Sequence, residues 1–119
     1  MMKSFTAMTF ASLAPISTAL ATSQVPASTI TSMGSYTGAS GATGAWVVFS
    51  PAIPGLEGCS NTAGNQVWID FSSTVQPDGK TIYATVLAAF LSGHAIGLGV
   101  GGCADAGQLP LVYRVDVYP

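Results

Sequence analysis

Residues 77 to 101 read PDGKTIYATVLAAFLSGHAIGLGVG, and this stretch decides the fold. Apolar residues recur at helical spacing from Thr81 to Ser92, and Gly93 supplies a stop, so the pattern predicts one helix. We expect Asp78, in the turn before the helix, to cap its first amides. From Ala95 to Gly101 aliphatic residues alternate with Ala and Gly, which predicts a strand with one packed face and one bare face. Another backbone or an aromatic ring can approach the bare face closely.

Four further strands are predicted around this stretch, at Ser28–Tyr36, Ala45–Ser50, Gln66–Ser72 and Leu111–Tyr118. The first of them has the weakest alternation, and its alternative is a leader without regular structure up to Gly44. Three strands, a helix and two final strands follow one another in the order of the OB-fold barrel. We therefore predict a mostly β chain with one helix, folded as a five-stranded OB-fold-like barrel.

The N-terminus has the features of an export signal. Met1-Met2-Lys3 is a positive start, Phe5 to Ala14 is mildly apolar, and Ala19-Leu20-Ala21 has the small-x-small spacing that signal peptidase accepts. The apolar part is too short for a membrane span of ~20 residues. We predict a signal peptide over residues 1–21, with cleavage after Ala27 as the alternative, and a secreted or periplasmic protein.

The composition limits the class of protein and the partners that the chain can have. It has 119 residues, 49% hydrophobic and 7% charged, with a formal net charge of −2, which favours a collapsed domain over a disordered one. Three basic side chains cannot neutralise a nucleic-acid backbone, so no nucleic-acid partner is expected. We divide the mature chain into a Ser/Thr/Gly-rich segment at 22–44, which holds the first predicted strand, and an OB-like core at 45–119.

The chain contains two cysteines, Cys59 and Cys103. An even count in an exported chain favours one structural disulfide. The alternatives are a metal pair and a reactive thiol, but a metal site needs more ligands than two cysteines and His94 readily supply. We expect no metal and no cofactor.

The sequence contains few residues that could serve in acid–base catalysis. His94 is the strongest general-base candidate, and its position after a helix stop favours a solvated or helix-dipole-paired histidine. The five acidic residues are scattered, and Asp78 is explained as a cap. We predict that the protein is not an enzyme.

A binding surface has more support. In the strand Gln66–Ser72, Trp68 and Asp70 alternate with Val67, Ile69 and Phe71, so we expect the tryptophan and the carboxylate to point out of the barrel. An exposed aromatic ring beside an acceptor can stack on and hydrogen-bond a sugar ring. The alternative is that Trp68 packs under a loop or a neighbouring subunit. Ser35 and Tyr36, at the end of the first strand, are a second candidate pair.

The predicted helix is apolar on nearly all sides, and such a helix is covered on nearly all sides. The sheet can cover one side of it. We therefore expect a homo-oligomer such as a ring, in which Val86, Leu87 and Phe90 contribute to the interface or to the core.

Several of these motifs recur together in a known group of proteins. They are Cys59-Ser60-Asn61, the strand Val67–Phe71, Asp78-Gly79-Lys80-Thr81-Ile82-Tyr83-Ala84, Leu91-Ser92-Gly93 and a Gly-rich strand that ends at Cys103. Over residues 45–119 the chain resembles small exported bacterial proteins related to the B subunits of AB-type toxins, especially the subtilase cytotoxin type. The resemblance implies a disulfide-linked OB-like fold. The toxin B subunits themselves are pentamers that bind glycans.

Two functions from different classes follow from these observations. The first is a secreted, non-catalytic module that binds a glycan or a cell-surface receptor, as a toxin B subunit does. The second is a structural or interaction protein of the periplasm or envelope with no small ligand.

Overall fold

The computed structural model describes residues 22–37, 41, 43–61, 63–104 and 107–119. The predicted signal peptide lies outside the described residues. Within these described residues the fold has five strands and one α-helix: β1 is Thr22–Thr37, β2 is Thr43–Ser50, β3 is Gln66–Asp70, α1 is Gly79–Ser92, β4 is Ile96–Ala104 and β5 is Leu109–Val117. The strands close a barrel in the order β1-β2-β3-β5-β4. The predicted fold class, mostly β with one helix in an OB-fold-like order, is confirmed.

Strand β1 is longer than the sequence predicted, because it begins at Thr22 and not at Ser28. Its first part pairs with β4 and its second part with β2, both antiparallel. A register shift separates Val25 from Ser28, and Pro26 lies in that interval. Proline has no amide hydrogen to donate to a ladder, so it is suited to a bulge where a strand changes partner. A single strand with two partners thereby closes the barrel.

The barrel interior is filled by aliphatic side chains from every strand and from one face of α1. As predicted, Val67 and Ile69 of β3 lie in this core, and Phe71 packs against it. Ile82, Val86 and Ala89 are the apolar helix residues that are buried in it. Val86 is completely buried within its own chain, so it is a core residue and does not contribute to a subunit interface. Leu87 and Phe90 are only partly buried.

Helix α1 ends where it was predicted to end and begins two residues earlier. Gly93 adopts the left-handed conformation with φ 76°, and its amide and that of His94 bond back to carbonyls of the last turn. At the other end the expected cap is wrong: the Asp78 side chain makes no capping hydrogen bond. The helix start is instead packed against β3, since a Cβ on Gly79 would lie 1.8 Å from the carbonyl oxygen of Asp70.

The predicted bare face of β4 is covered by aromatic rings. A Cβ on Gly97 would lie 3.1 Å from the hydroxyl of Tyr118, and one on Gly99 would lie 3.0 Å from Cζ of Tyr113. Both glycines are buried beneath these tyrosines. The prediction that an aromatic ring approaches this face is confirmed, and the Gly-rich run is explained by packing.

Cys59 and Cys103 form the predicted disulfide, with their Cα atoms 5.6 Å apart and 44 positions apart in sequence. Closing a loop of this length restricts the unfolded chain and contributes about 4 kcal/mol in the chain-entropy model. Cys103 lies in β4, which continues to Ala104, three residues beyond the alternating stretch that predicted this strand. Among the described residues, no helix is long and apolar enough to span a membrane.

Candidate functional site

Trp68 and Asp70 are not the exposed pair that alternation predicted. Trp68 is 0% exposed and Asp70 is 2% exposed. They do lie on the face of β3 opposite the core residues Val67 and Ile69, but a second layer of side chains covers that face. The ring of Tyr36 meets the Trp68 indole edge-on, with the ring centroids 5.3 Å apart. Alternation assigns a side chain to a face of a sheet, whereas exposure depends on what covers that face.

Gly44 makes room for the buried indole. It lies opposite Tyr36 of β1 and Asp70 of β3 in the register of the sheet. A Cβ at Gly44 would lie 2.3 Å from the carbonyl oxygen of Ile69 and 2.7 Å from Cζ2 of Trp68. Only a residue without a side chain fits there, so the indole settles against the backbone of β2.

The two buried residues form one hydrogen-bonded unit. The Trp68 indole N–H donates to Oδ2 of Asp70 at 3.0 Å, and the backbone N–H of Ser72 donates to Oδ1 at 2.8 Å. Each carboxylate oxygen therefore has a donor, as a buried charged group requires. This arrangement fixes the indole in place and directs the carboxylate inward, where it cannot reach a ligand at the surface.

An open groove of about 250 Å³ lies beside this unit. The described residues that line it come from the end of β1, the start of β2 and the residue after β3: Ser35, Tyr36, Thr37, Thr43, Gly44 and Phe71. Tyr36 is 44% exposed. The second pair of residues proposed from the sequence, Ser35 and Tyr36, therefore lies at the groove, and the first pair lies behind it.

Each aromatic ring of the groove is supported from behind by another ring. Trp68 supports Tyr36 as described above. The ring of Tyr83, from α1, meets Phe71 edge-on with the ring centroids 5.4 Å apart. Edge-to-face pairs of this kind contribute about 0.5–1.5 kcal/mol beyond the area they bury. The groove is thus built on side chains whose positions are set before any ligand arrives.

Sequence reasoning missed Thr37, Thr43, Gly44 and Phe71 as groove residues. The run from Thr37 to Gly44 lies between the first two predicted strands, and small residues dominate it, so it shows no alternation of its own. A hairpin signal was available there, since a Gly-rich turn between two β-branched runs predicts paired strands. Pairing of Thr37 with Thr43 across that hairpin places their side chains at one end of the barrel.

Titratable groups contribute little to this groove. His94 is exposed and lines a separate, smaller cavity with Thr29, Ile30 and Phe90. The described residues contain no group of three or more His, Cys, Asp or Glu side chains that could hold a metal ion. Arg114 forms an exposed ion pair with Asp116 at 2.8 Å, and its hydrogen bond to that carboxylate raises the pKa of the guanidinium above its ordinary value.

No protein-family model matches the chain, and no curated protein and no solved structure is significantly similar to it. The resemblance to the toxin B subunits therefore stays a prediction that depends on the motifs quoted above.

Proposed function

We propose that this protein is an exported binding module that catalyses nothing, and that the groove beside Tyr36 binds a carbohydrate. The observation that carries the proposal is the lining of the groove, in which two aromatic rings lie beside three hydroxyl side chains. The C–H faces of sugar rings stack on aromatic rings, and sugar hydroxyls exchange hydrogen bonds with Ser and Thr hydroxyls, which both donate and accept.

The charge of the groove supports the same ligand class. None of the described residues that line it carries a charge, so phosphate or carboxylate ligands would find no counter-ion there. Its volume, about 250 Å³, is slightly below the ~300 Å³ at which sites for drug-sized ligands begin. A terminal sugar of a glycan fits a site of this size better than a long chain does.

The described residues that line the groove include no His, Asp, Glu, Lys or Cys side chain, which supports a binding role over catalysis. General acid–base catalysis needs a group within hydrogen-bond reach of the reacting proton, with a pKa near the working pH. Both carboxylate oxygens of the buried Asp70 already accept hydrogen bonds, one from Trp68 and one from Ser72.

Glycan binding at a cell surface is the role of the toxin B subunits that the chain resembles. One small groove gives weak affinity, and a homo-oligomeric ring of such grooves would raise the overall avidity. We include such a ring in the proposal, with the half-buried Leu87 and Phe90 of α1 as candidate interface residues.

A glycan array with three forms of the protein tests the proposal. We expect the wild type to bind a defined set of glycans and Tyr36→Ala to bind them at least tenfold more weakly, a loss of about 1.4 kcal/mol. Tyr113→Ala is the matched control, because Tyr113 is 42% exposed, close to the 44% of Tyr36, and lies on β5 away from the groove. Circular dichroism checks that both variants are folded.

Two outcomes would contradict carbohydrate binding at this groove. One is an array on which the wild type binds nothing. That result would favour the second predicted function, a structural or interaction protein of the periplasm or envelope. The other is equal loss of binding in both tyrosine variants, which would place the site elsewhere on the barrel. Light scattering on the same samples tests the oligomer, and a monomer mass at micromolar concentration would contradict it.

A further inference from the structure

Glu57 has an unusual backbone conformation and an unusual set of contacts. Its φ is 56°, in the left-handed region that residues with a side chain rarely adopt, and glutamate is not among the residues enriched there. It lies in the 3₁₀ turn Leu56–Gly58, immediately before the disulfide. Its carboxylate accepts a hydrogen bond from the backbone N–H of Gly102 at 2.9 Å and another from the hydroxyl of Ser23. Strain of this kind persists only where surrounding contacts determine it, so these contacts hold the turn.

Both contacts lie where the first residues of β1 meet the end of β4. In the register of this pair Thr22 is opposite Gly101 and Ser23 is opposite Val100. Val25, two residues further on, is 1% exposed and belongs to the core. The Glu57 carboxylate is therefore anchored at the first residues of β1.

This placement distinguishes between the two predicted cleavage sites, after Ala21 and after Ala27. Cleavage after Ala27 would remove Val25 from the core and Ser23 from Glu57, and would leave only Ser28, opposite Ile96, of the described β1–β4 pairs. The barrel would then lose the strand segment that closes it. Cleavage after Ala21 keeps every one of these pairs and makes Thr22 the first residue.

We propose that export processing hydrolyses the Ala21–Thr22 peptide bond and that the Glu57 carboxylate then holds the new amino terminus. The proposal rests on the proposed export of the protein and not on carbohydrate binding. Water adds across the broken C–N bond, so Ala21 leaves as a carboxylic acid and the nitrogen of Thr22 becomes an amine. An α-amino group has an ordinary pKa of about 7.7–8.0, so it takes up a further proton at neutral pH.

Hydrolysis thereby changes the charge next to Glu57. Before cleavage the nitrogen of Thr22 is a neutral amide, and afterwards it is an ammonium. Thr22 directly precedes Ser23, whose hydroxyl already donates to the Glu57 carboxylate, so we expect the new ammonium to pair with that carboxylate. The mature chain gains an ion pair between β1 and the disulfide-bearing turn that the precursor lacks.

The first test is the mass of the exported protein. The full chain is expressed with its own N-terminus in a bacterium that exports it, and the protein outside the cytoplasm is analysed by intact mass and N-terminal sequencing. We expect the sequence to start at Thr22. A start at Ser28, or a protein that retains residues 1–21, would overturn the inference. Neither result depends on whether the protein binds glycans.

The second test isolates the ion pair. The chain that starts at Thr22 is released from a fusion without extra residues and compared with a chain that retains Ala19-Leu20-Ala21, each with its disulfide formed. We expect the extension to lower the melting temperature by about 3–6 °C with Glu57 present and by less than about 1 °C in Glu57→Gln. Asp116→Asn is the matched control, because it removes an exposed carboxylate on β5 and should leave the effect of the extension unchanged. Equal effects of the extension with Glu57 and with Glu57→Gln would overturn the role of Glu57.

Discussion

Aromatic rings lie over glycines at several places on the barrel, and two of these places have different results. On the β2–β3 side the indole of Trp68 lies against Gly44 and is completely buried. On the β4–β5 side the phenol ring of Tyr113 lies against Gly99 and stays 42% exposed. The difference comes from the next layer of residues, since Tyr36 covers the indole and Asp70 accepts its N–H.

This comparison shows that an aromatic ring packed over a glycine can have two different roles. A ring over glycine fills the space that the missing side chain leaves in either case. Where a third side chain covers the ring, it becomes part of the interior and can support a surface residue such as Tyr36. Where the ring is the outermost layer, it shields the strand and little more.

Replacement of the two rings should show the largest contrast. Trp68→Ala should lower the free energy of unfolding by about 3–5 kcal/mol, because it leaves a cavity and removes the donor from the buried Asp70. Tyr113→Ala should cost about 1 kcal/mol, since its ring is partly in water already. Urea unfolding with the disulfide intact measures both. Similar losses in the two variants would show that the two sides are equally structural.

The glycines beneath the rings provide a second contrast. Gly44→Ala should cost about 2–3 kcal/mol, because its Cβ would lie 2.3 Å from a backbone carbonyl oxygen that cannot move without shifting β3. Gly99→Ala should cost less, about 1 kcal/mol, because its Cβ would lie 3.0 Å from the half-exposed ring of Tyr113 and 3.1 Å from Cβ of Arg114, and both contacts need only small shifts. Thermal unfolding followed by circular dichroism compares them. A Gly99→Ala variant that loses as much stability as Gly44→Ala would mean that neither the Tyr113 ring nor β5 at Arg114 can shift.

Two carboxylates give the third and smallest contrast. Asp70→Ala should cost about 2 kcal/mol, because it leaves the buried Trp68 N–H and the part-buried Ser72 N–H without their acceptor. Asp116→Ala should cost about 0–1 kcal/mol, because the ion pair with Arg114 is exposed and screened by salt. Denaturant midpoints at low and high salt separate the two. We expect salt to reduce the effect of Asp116→Ala and to leave that of Asp70→Ala nearly unchanged.

The sequence by itself predicted the elements whose signals are local. The apolar spacing of α1 and its glycine stop, the alternation of β4 and the two cysteines are properties of short stretches, and the structure has each of them. The strand order follows from those elements, and with it the OB-fold-like class. The left-handed conformation of Gly93 was also predictable, because a helix stop of that type favours a residue without a β-carbon.

The candidate site was predicted only in part. Ser35 and Tyr36 lie at the groove, but Trp68 and Asp70 lie behind it. A strand pattern states which side chains share a face, and it contains no information about the strand or ring that covers that face. The burial of Trp68 required knowledge that Tyr36 and Gly44 lie beside it, and those residues are more than 20 positions away in the sequence.

The first half of β1 is the clearest example of what only the tertiary structure decided. Residues 22–27 have little hydrophobic pattern, so nothing local marks them as a strand. They are a strand because their amides and carbonyls complete the edge of β4 and because Val25 fills the core opposite Leu98. Backbone hydrogen bonds between distant segments do not depend on side-chain pattern, and for that reason barrel closure and the contact between Ser23 and Glu57 could not be derived from the sequence alone.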